Sequence, residues 1–175
     1  MDECDVMNIR SELAEDKEAI YQINTQAFET DDEARLVNAL RDSGCEYICL
    51  VAEIDDKVVA YILFTAVSLS GNQSGLRLLG LAPMAVLPEY QNQGIGSALV
   101  RSGLEQCKTM AYHAVVVLGH ANYYPRFGFV PSDEYGIQSE YDVPREVFMI
   151  QELIPGCLNG KQGVIQYHEA FKLIG

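Results

Sequence analysis

Hydrophobic and polar residues follow two periods along the chain, and the changes of period predict where helices and strands lie. Residues 6–10 have the pattern of a short first strand. Apolar residues at helical spacing predict a helix over about residues 12–28, and a second helix that ends near Gly44. Between the two helices, Thr30-Asp31-Asp32-Glu33 predicts a capping box, in which Thr30 caps the second helix and Glu33 reaches back.

Three strands are predicted in the middle of the chain. Residues 47–53 and 57–67 are apolar and flank the turn Asp55-Asp56, so they are expected to form a hairpin. Residues 76–86 form a third apolar run with Pro83 inside it. Because proline cannot donate to a sheet ladder, either this strand breaks at Pro83 or one of its sides is unpaired there.

The remaining pattern completes an α/β order. A polar loop over residues 88–94 leads into a helix that reaches about Met110, and 114–118 is a continuous apolar strand of the kind buried on both faces. A short helix is predicted over 121–127, ending at Gly128. Residues 147–153 and 164–171 are predicted to form a C-terminal hairpin. The order β-α-α-β-β-β-α-β-α-β-β predicts a mixed α/β fold in a single domain over residues 1–175.

A glycine-bearing loop joins the strand that ends at Val86 to the next helix, and it reads Gln91-x-x-Gly94-x-Gly96. Backbone N–H groups converge at such a helix start, where the helix dipole favours an anion. The Gly-Lys-Ser/Thr of a Walker loop is absent, and Leu99 stands where a dinucleotide fingerprint needs its third glycine. On this pattern alone, the loop has two possible interpretations: an anion site of another kind, or an ordinary turn before a helix.

The charge of the chain is strongly acidic but unevenly distributed. With 12 basic and 25 acidic residues the formal net charge is −13, which disfavours nucleic acid and anionic membranes as partners. Residues 1–56 carry a net charge of −12 and residues 129–175 a net charge of −4, whereas residues 57–128 carry +3. The glycine loop therefore lies in the only net-positive stretch.

Cysteine usage and hydropathy indicate where the protein resides. The five cysteines are scattered and form no CxxC pair, which argues against a disulfide framework or a zinc cluster. No apolar run is long enough to span a bilayer, and the acidic N-terminus lacks the features of a signal peptide. A cytoplasmic protein without a bound metal is expected.

Several motifs resemble those of the GCN5-related N-acetyltransferase (GNAT) family. The stretch from Met84 to Leu99 resembles motif A of that family, and Tyr124-Pro125-Arg126-Phe127-Gly128-Phe129 resembles its Tyr-x-x-x-Gly-Phe segment. Segments 117–119, 143–146 and 153–156 resemble the YhbS-like subgroup, so the resemblance covers nearly the whole chain. It implies a mostly antiparallel central sheet, a β-loop-α-β unit that binds acyl-CoA, and transfer of an acetyl group from acetyl-CoA to an amine.

The resemblance also implies roles for individual residues. The amides from Gln93 to Ser97 would hold the pyrophosphate, and the Val86 N–H would donate to the developing oxyanion. Many relatives carry an arginine or lysine in this loop, whereas Gln91-Asn92-Gln93 is neutral, so phosphate binding would rest on backbone amides and the helix dipole. The expected cofactor-binding residues are Met84, Ala85, Val86, Gln91, Asn92, Gln93, Gly94, Ile95, Gly96, Ser97, Tyr124 and Arg126.

Two further side chains are candidates for proton transfer. Tyr124 matches the tyrosine that many relatives use as general acid, and a phenol stays protonated at neutral pH. Its alternative role is packing beside Phe127 and Phe129. His120 follows the strand 114–118 and is a candidate general base. A loop histidine without chemical role, with water as the base, is the alternative.

The acceptor is expected between the connection of the first two helices and the segment that follows Phe129. Both regions are acidic, and the second also carries Tyr135 and Tyr141. Acidic and aromatic groups together would suit a cationic amine. The alternative is a solvated surface without a binding role. The expected reaction is direct attack of the amine on acetyl-CoA in a ternary complex. A non-catalytic acyl-CoA-binding or regulatory module of the same fold is the alternative, and either a monomer or a homodimer fits the sequence.

Overall fold

The computed structural model describes residues 7–71 and 75–174, and Val6 of the predicted first strand lies outside them. These described residues form three α-helices: α1 is Lys17–Ala27, α2 is Asp32–Ser43 and α3 is Ile95–Thr109. Short 3-10 turns occupy several connections. The strands are β1 Met7–Ser11, β2 Tyr47–Ile54, β3 Lys57–Leu69, β4 Leu78–Val86, β5 Ala114–Leu118, β6 Val130–Pro131, β7 Ile137–Ser139, β8 Phe148–Glu152 and β9 Gly163–Gln166.

The described chain divides into two compact units. The first takes in the chain up to Leu63, together with Pro83–Gly103 and the residues from Ala170 onward. The second comprises Phe64–Ala82 and Leu104–Glu169. The division falls within β3, β4 and α3. The single domain over residues 1–175 stays a prediction.

In the first unit, strands β1, β2, β3 and β4 are neighbours in that order, and β1 runs antiparallel to β2 with Met7 opposite Ile54. Helices α1 and α2 pack together, and their apolar faces bury Ile20, Ile23 and Leu36. The turn Asp55-Asp56 between β2 and β3 has both residues at positive φ, as tight hairpin turns require. The predicted hairpin and the end of α2 at Gly44, with φ of 74°, are confirmed.

The first helix begins later than predicted because the Asp16 side chain is bound by residues that precede it in the chain. Its Oδ2 accepts the Leu13 N–H at 2.7 Å and binds Arg10 Nη1 at 2.6 Å. These bonds hold residues 14–16 in a 3-10 turn, so α1 starts at Lys17 rather than near residue 12.

The predicted capping box before α2 is wrong. Asp31, not Thr30, is the N-cap residue, and no side chain makes the capping bond. The Thr30 hydroxyl instead accepts the Asp32 N–H at 3.3 Å, while Oε2 of Glu33 is buried without a hydrogen-bond partner among the described residues. The helix start is therefore shifted by one residue, and Glu33 is out of position for the reciprocal bond.

In the second unit, β5 is the central strand. It pairs in parallel with β4 and antiparallel with β8, whose other edge pairs with β6. Residues 114–117 of β5 are at most 1% exposed, which confirms the predicted doubly buried strand. The predicted C-terminal hairpin is wrong, because both edges of β8 are occupied by β5 and β6 and β9 pairs with β3 and β7.

The ladder between β4 and β5 is short. It joins Leu78 to Ala114, Leu79 to Val115 and Gly80 to Val116, whereas β4 continues to Val86. The strand is therefore unbroken at Pro83, and that residue lies past the end of the β5 ladder. This is the second of the two outcomes expected for Pro83.

None of the helices in the described chain is long and apolar enough to cross a bilayer. The cytoplasmic location stays a prediction.

Candidate functional site

The glycine loop and its flanks, Met84 to Ser97, lie in the first unit. Residues 91–94 are all exposed, and Asn92 and Gly94 have positive φ values of 62° and 84°. The first turn of α3 is closed by a hydrogen bond from the Ala98 N–H to the Gly94 carbonyl, at 3.0 Å. The backbone N–H groups of Ile95 and Gly96 come before this bond, at the start of the helix. The loop thus presents a helix N-terminus of the type that binds anions.

Two glutamine side chains fold this loop back on itself. Gln91 Nε2 donates to the Val86 carbonyl at 3.0 Å, and Gln93 Nε2 donates to the Glu89 carbonyl at 3.3 Å. The side-chain amides of Gln91 and Gln93 therefore brace the loop. Any anion bound here would be held chiefly by backbone N–H groups.

The charge around the loop fits a phosphate group. The first turn of α3 has no acidic residue, and a Cβ placed on Gly94 would meet nothing within 4 Å. Glu89, the acidic residue of the loop, has its Oε1 at 3.8 Å from Lys57 Nζ. A negative group could approach the helix start without meeting an unscreened carboxylate.

The end of β4 presents one half-exposed face. Ala82, Met84 and Val86 are partly exposed, while Pro83 and Ala85 between them, and Leu87 after them, are buried. This alternation is the period-two pattern of a strand with one covered face. Ala85, which was expected to touch the cofactor, has a buried side chain and so offers its backbone.

The other predicted site residues, His120, Tyr124 and Arg126, lie in the second unit. The Tyr124 side chain is 8% exposed, and its ring meets Phe129 and Tyr123 edge-on at centroid distances of 5.7 and 5.0 Å. A Cβ placed on Gly119 would collide with this ring, so the ring lies directly on the Gly119 backbone. The aromatic packing expected as the alternative for Tyr124 is therefore present, and it fixes the phenol in place.

Burial also sets the acidity of this phenol. Desolvation, with a smaller contribution from Tyr123, raises the pKa of Tyr124 to about 12. The hydroxyl therefore stays protonated throughout the physiological range and can act only as a proton donor. It has no hydrogen-bond partner in the part of the chain that the structure describes.

His120 is exposed, and its carbonyl accepts the N–H groups of Tyr123 and Tyr124 at 3.1 and 3.4 Å. The imidazole thus projects from a backbone that is hydrogen-bonded to the Tyr124 turn. Its role as a base stays a prediction.

Arg126 is engaged on its own turn rather than extended into solvent. Its Nε donates to the Tyr123 carbonyl at 3.0 Å, and its guanidinium lies 4.8 Å from the centre of the Tyr123 ring. To reach a phosphate it would have to leave these contacts. Its predicted role in cofactor binding stays a prediction.

Burial sets the acidity of two cysteines in the described chain. Cys49 and Cys107 are buried, and desolvation raises the pKa of each thiol to about 12. Cys45 and Cys157 are half-buried. A buried thiol with such a raised pKa holds almost no thiolate at neutral pH, so neither Cys49 nor Cys107 is suited to attack an acyl group.

Sequence reasoning missed the role of Gly119. The segment 117–119 stood out only as part of a subgroup motif, and nothing in it indicated contact with Tyr124. A glycine five residues before a candidate catalytic tyrosine was the available signal, since glycine permits close approach of another group to the backbone.

Comparison with known proteins agrees with the geometry. The family model described as an acetyltransferase (GNAT) domain matches residues 45–131. YhbS of Escherichia coli K12, named an uncharacterized N-acetyltransferase, is 36% identical over 94% of this chain and 98% of its own length. YjhQ of the same organism, also named an uncharacterized N-acetyltransferase, is 39% identical over 79% of this chain and 80% of its own.

Solved structures match over the same extent. The crystal structure of E. coli YhbS in complex with CoA superposes with a TM-score of 0.93 at 34% identity, covering 100% of this chain and 97% of that one. A GNAT acetyltransferase from Brucella melitensis in complex with acetyl-CoA gives a TM-score of 0.78 at 33% identity, covering 95% and 99%. The expected α/β fold with a mostly antiparallel sheet is thereby confirmed, and the chain belongs to the GNAT family of N-acetyltransferases.

Proposed function

We propose that this N-acetyltransferase moves the acetyl group of acetyl-CoA to a primary amine of a small molecule or peptide, by direct attack in a ternary complex. The observation that carries the proposal is the exposed start of α3, which has two residues of positive φ before it and no acidic residue in its first turn. The CoA and acetyl-CoA complexes of the similar proteins support the same cofactor here.

In this proposal the loop binds the pyrophosphate through the backbone amides of residues 93–97. Gln91 and Gln93 hold the loop in shape through their bonds to the Val86 and Glu89 carbonyls. Beyond Gly80, β4 no longer pairs with β5. The backbone of Met84, Ala85 and Val86 would therefore be open to pair with the pantetheine amides. The cofactor supplies the activated acetyl group when bound.

Two groups of the chain would stabilise the transfer. The Val86 N–H is the proposed donor to the carbonyl oxygen as negative charge develops, a role worth on the order of a hundredfold in rate in comparable sites. Tyr124 is the proposed general acid for the departing thiolate. Its raised pKa, about 12, supports this role because the phenol carries its proton at neutral pH.

The amine must lose a proton in order to attack. His120 is the proposed base, supported by its exposure and by its place on the same hydrogen-bonded turn as Tyr124. Water relayed to solvent would serve the same purpose. Direct attack is favoured over an acyl-enzyme on Cys49 or Cys107, because burial keeps both of these thiols protonated.

The deciding experiment follows thiol release from acetyl-CoA across polyamines, amino acids, aminoglycosides and N-terminal peptides. Release with at least one amine, together with the mass of the acetylated product, would establish the reaction. Thermal stabilisation by CoA without thiol release from any amine would indicate a non-catalytic acyl-CoA-binding module instead, because a ligand that binds only the folded state raises its stability.

A further inference from the structure

Gly80, on β4, is enclosed by two side chains of the second unit. A Cβ placed on Gly80 would stand 2.8 Å from Cε1 of Tyr167 and 3.0 Å from Cγ1 of Val67. A glycine in a strand commonly marks a place where another group approaches the backbone closely. The Tyr167 ring therefore lies directly on the strand at Gly80, and an alanine there would have to displace either the ring or the strand.

Tyr167 is held in this place by its backbone. It directly follows Gln166, the last residue of β9, which is opposite Ser68 in the ladder between β9 and β3. The Tyr167 N–H donates to Oε1 of Glu140 at 3.0 Å. Its ring centre lies 5.9 Å from the ring centre of Tyr141. The ring that contacts β4 is therefore anchored through β9 and β3.

The contact lies at the point where the pairing of β4 with β5 ends. Gly80 and Val116 are the last pair of that ladder. After Val116, β5 stays paired with β8 as far as Leu118. At the other end of β4, the N–H of Leu87 donates to the Val59 carbonyl of β3 at 2.9 Å. Beyond Gly80 the two strands thus follow different neighbours.

The exposure of β4 changes at the same residue. On the face that the Tyr167 ring covers, Leu78 and Gly80 are buried. Ala82 and Met84, the next alternate residues of the strand, are half-exposed. The covered part of this face therefore ends before the residues that are proposed to bind pantetheine.

We infer that Tyr167 is a positioning residue for the cofactor: through its contact with Gly80 it holds β4 where the β4–β5 ladder ends, and so fixes the open backbone that follows. The inference rests on the proposed function. Because the ring ties β4 to β9 and β3, it limits the movement of the strand at the residue where support from β5 is lost. A strand held in this way presents its backbone groups to pantetheine without first having to be ordered.

The test measures the Kd of acetyl-CoA by calorimetry and its KM and kcat in acetyl transfer. Gly80→Ala should raise Kd and KM for acetyl-CoA about tenfold, because overpacking shifts the backbone that binds the cofactor, and should leave kcat close to the wild-type value. In a Tyr167→Leu background the same substitution should cost less, since the ring it meets is gone. Tyr167→Phe keeps the ring and should keep the wild-type Kd.

Leu158→Ala is the matched control for a loss of stability alone. Leu158 is 1% exposed and belongs to the same apolar cluster as Leu78 and Val116, outside β4, β5 and β9. The cavity left by this substitution should lower the melting temperature and leave the Kd of acetyl-CoA unchanged. An unchanged Kd in Gly80→Ala, or an equal rise in Leu158→Ala, would overturn the inference and leave the proposed function standing.

Hydrogen exchange separates the two proposals if the wild-type chain binds no acetyl-CoA, a result that would refute the proposed function. Tyr167→Leu should then still speed exchange of the amides of residues 81–86 relative to those of β8, whereas Tyr167→Phe should not. Equal relative rates in the wild-type chain and in Tyr167→Leu would refute the role of Tyr167 directly.

Discussion

The ring of Tyr124 lies against the backbone of Gly119, so closely that a Cβ on Gly119 would collide with Cε2 and stand 2.9 Å from Cδ2. The Gly119 backbone cannot easily give way, because its N–H donates to the Val147 carbonyl at 2.9 Å. Gly119 therefore positions the tyrosine, and any larger residue there must displace the ring.

Gly119→Ala is expected to lower kcat by roughly tenfold, because overpacking of this kind costs about 1–3 kcal/mol and is relieved by moving the phenol. The KM for acetyl-CoA should stay unchanged. In a Tyr124→Ala background the same substitution should cost nothing further, since the clash is gone. Steady-state kinetics of the four variants measure this coupling, and additive effects would contradict it.

Tyr124→Phe keeps the ring packing and removes the proton donor. We expect kcat to fall about a hundredfold while the melting temperature and the KM for acetyl-CoA stay close to the wild-type values. Because burial raises the pKa of Tyr124 to about 12, the wild-type rate should show no loss from its ionisation up to about pH 11. A Phe variant with wild-type kcat would exclude Tyr124 as the general acid.

Gly96→Glu places a carboxylate at the start of α3, where the proposed pyrophosphate would lie. Binding of acetyl-CoA should be lost while circular dichroism and the melting temperature show an intact fold. Gln106→Glu adds the same charge near the other end of α3 and should leave affinity unchanged. Equal affinities of Gly96→Glu and the wild-type chain in calorimetry would reject the pyrophosphate assignment.

Alkaline pH should destabilise the fold through its buried thiols. Burial raises the pKa of Cys107 from 9.0 to about 12, so the folded state retains a proton that the unfolded state releases. Its contribution is complete below pH 9 and is lost as pH rises from 9 through 12, at up to about 1.4 kcal/mol per pH unit. Urea unfolding of Cys107→Ala should show a shallower loss over this window, and a slope equal to that of the wild-type chain would contradict the assignment.

The parts of the fold that follow from local pattern were predictable from the sequence. Strand β5 was predicted with its observed bounds, because a continuous apolar run flanked by polar residues leaves few alternatives. The end of α2 at Gly44 and the turn at Asp55-Asp56 followed from residues that adopt positive φ readily. The loop before α3 was likewise identified by its glycines.

The incorrect predictions depend on side-chain contacts and strand pairings that the local hydrophobic pattern does not show. Asp16 leaves the first helix because it binds Arg10, and that pairing has no local signature. Strands β8 and β9 resemble a hairpin in sequence, but β8 lies between β5 and β6. The contact of Tyr124 with Gly119 was equally hidden, since it depends on how one turn folds over the end of a strand.

The proposed binding of the cofactor through the glycine loop predicts how its affinity depends on ionic strength. Gln91 and Gln93 are neutral, and the side chains of both are hydrogen-bonded to backbone carbonyls. Mobile ions screen exposed charges more than fixed backbone dipoles in direct contact with a ligand. An N-acetyltransferase that holds its cofactor in this way would keep its affinity over a wide range of salt, at the cost of the long-range attraction that cationic loops exert on a polyanion.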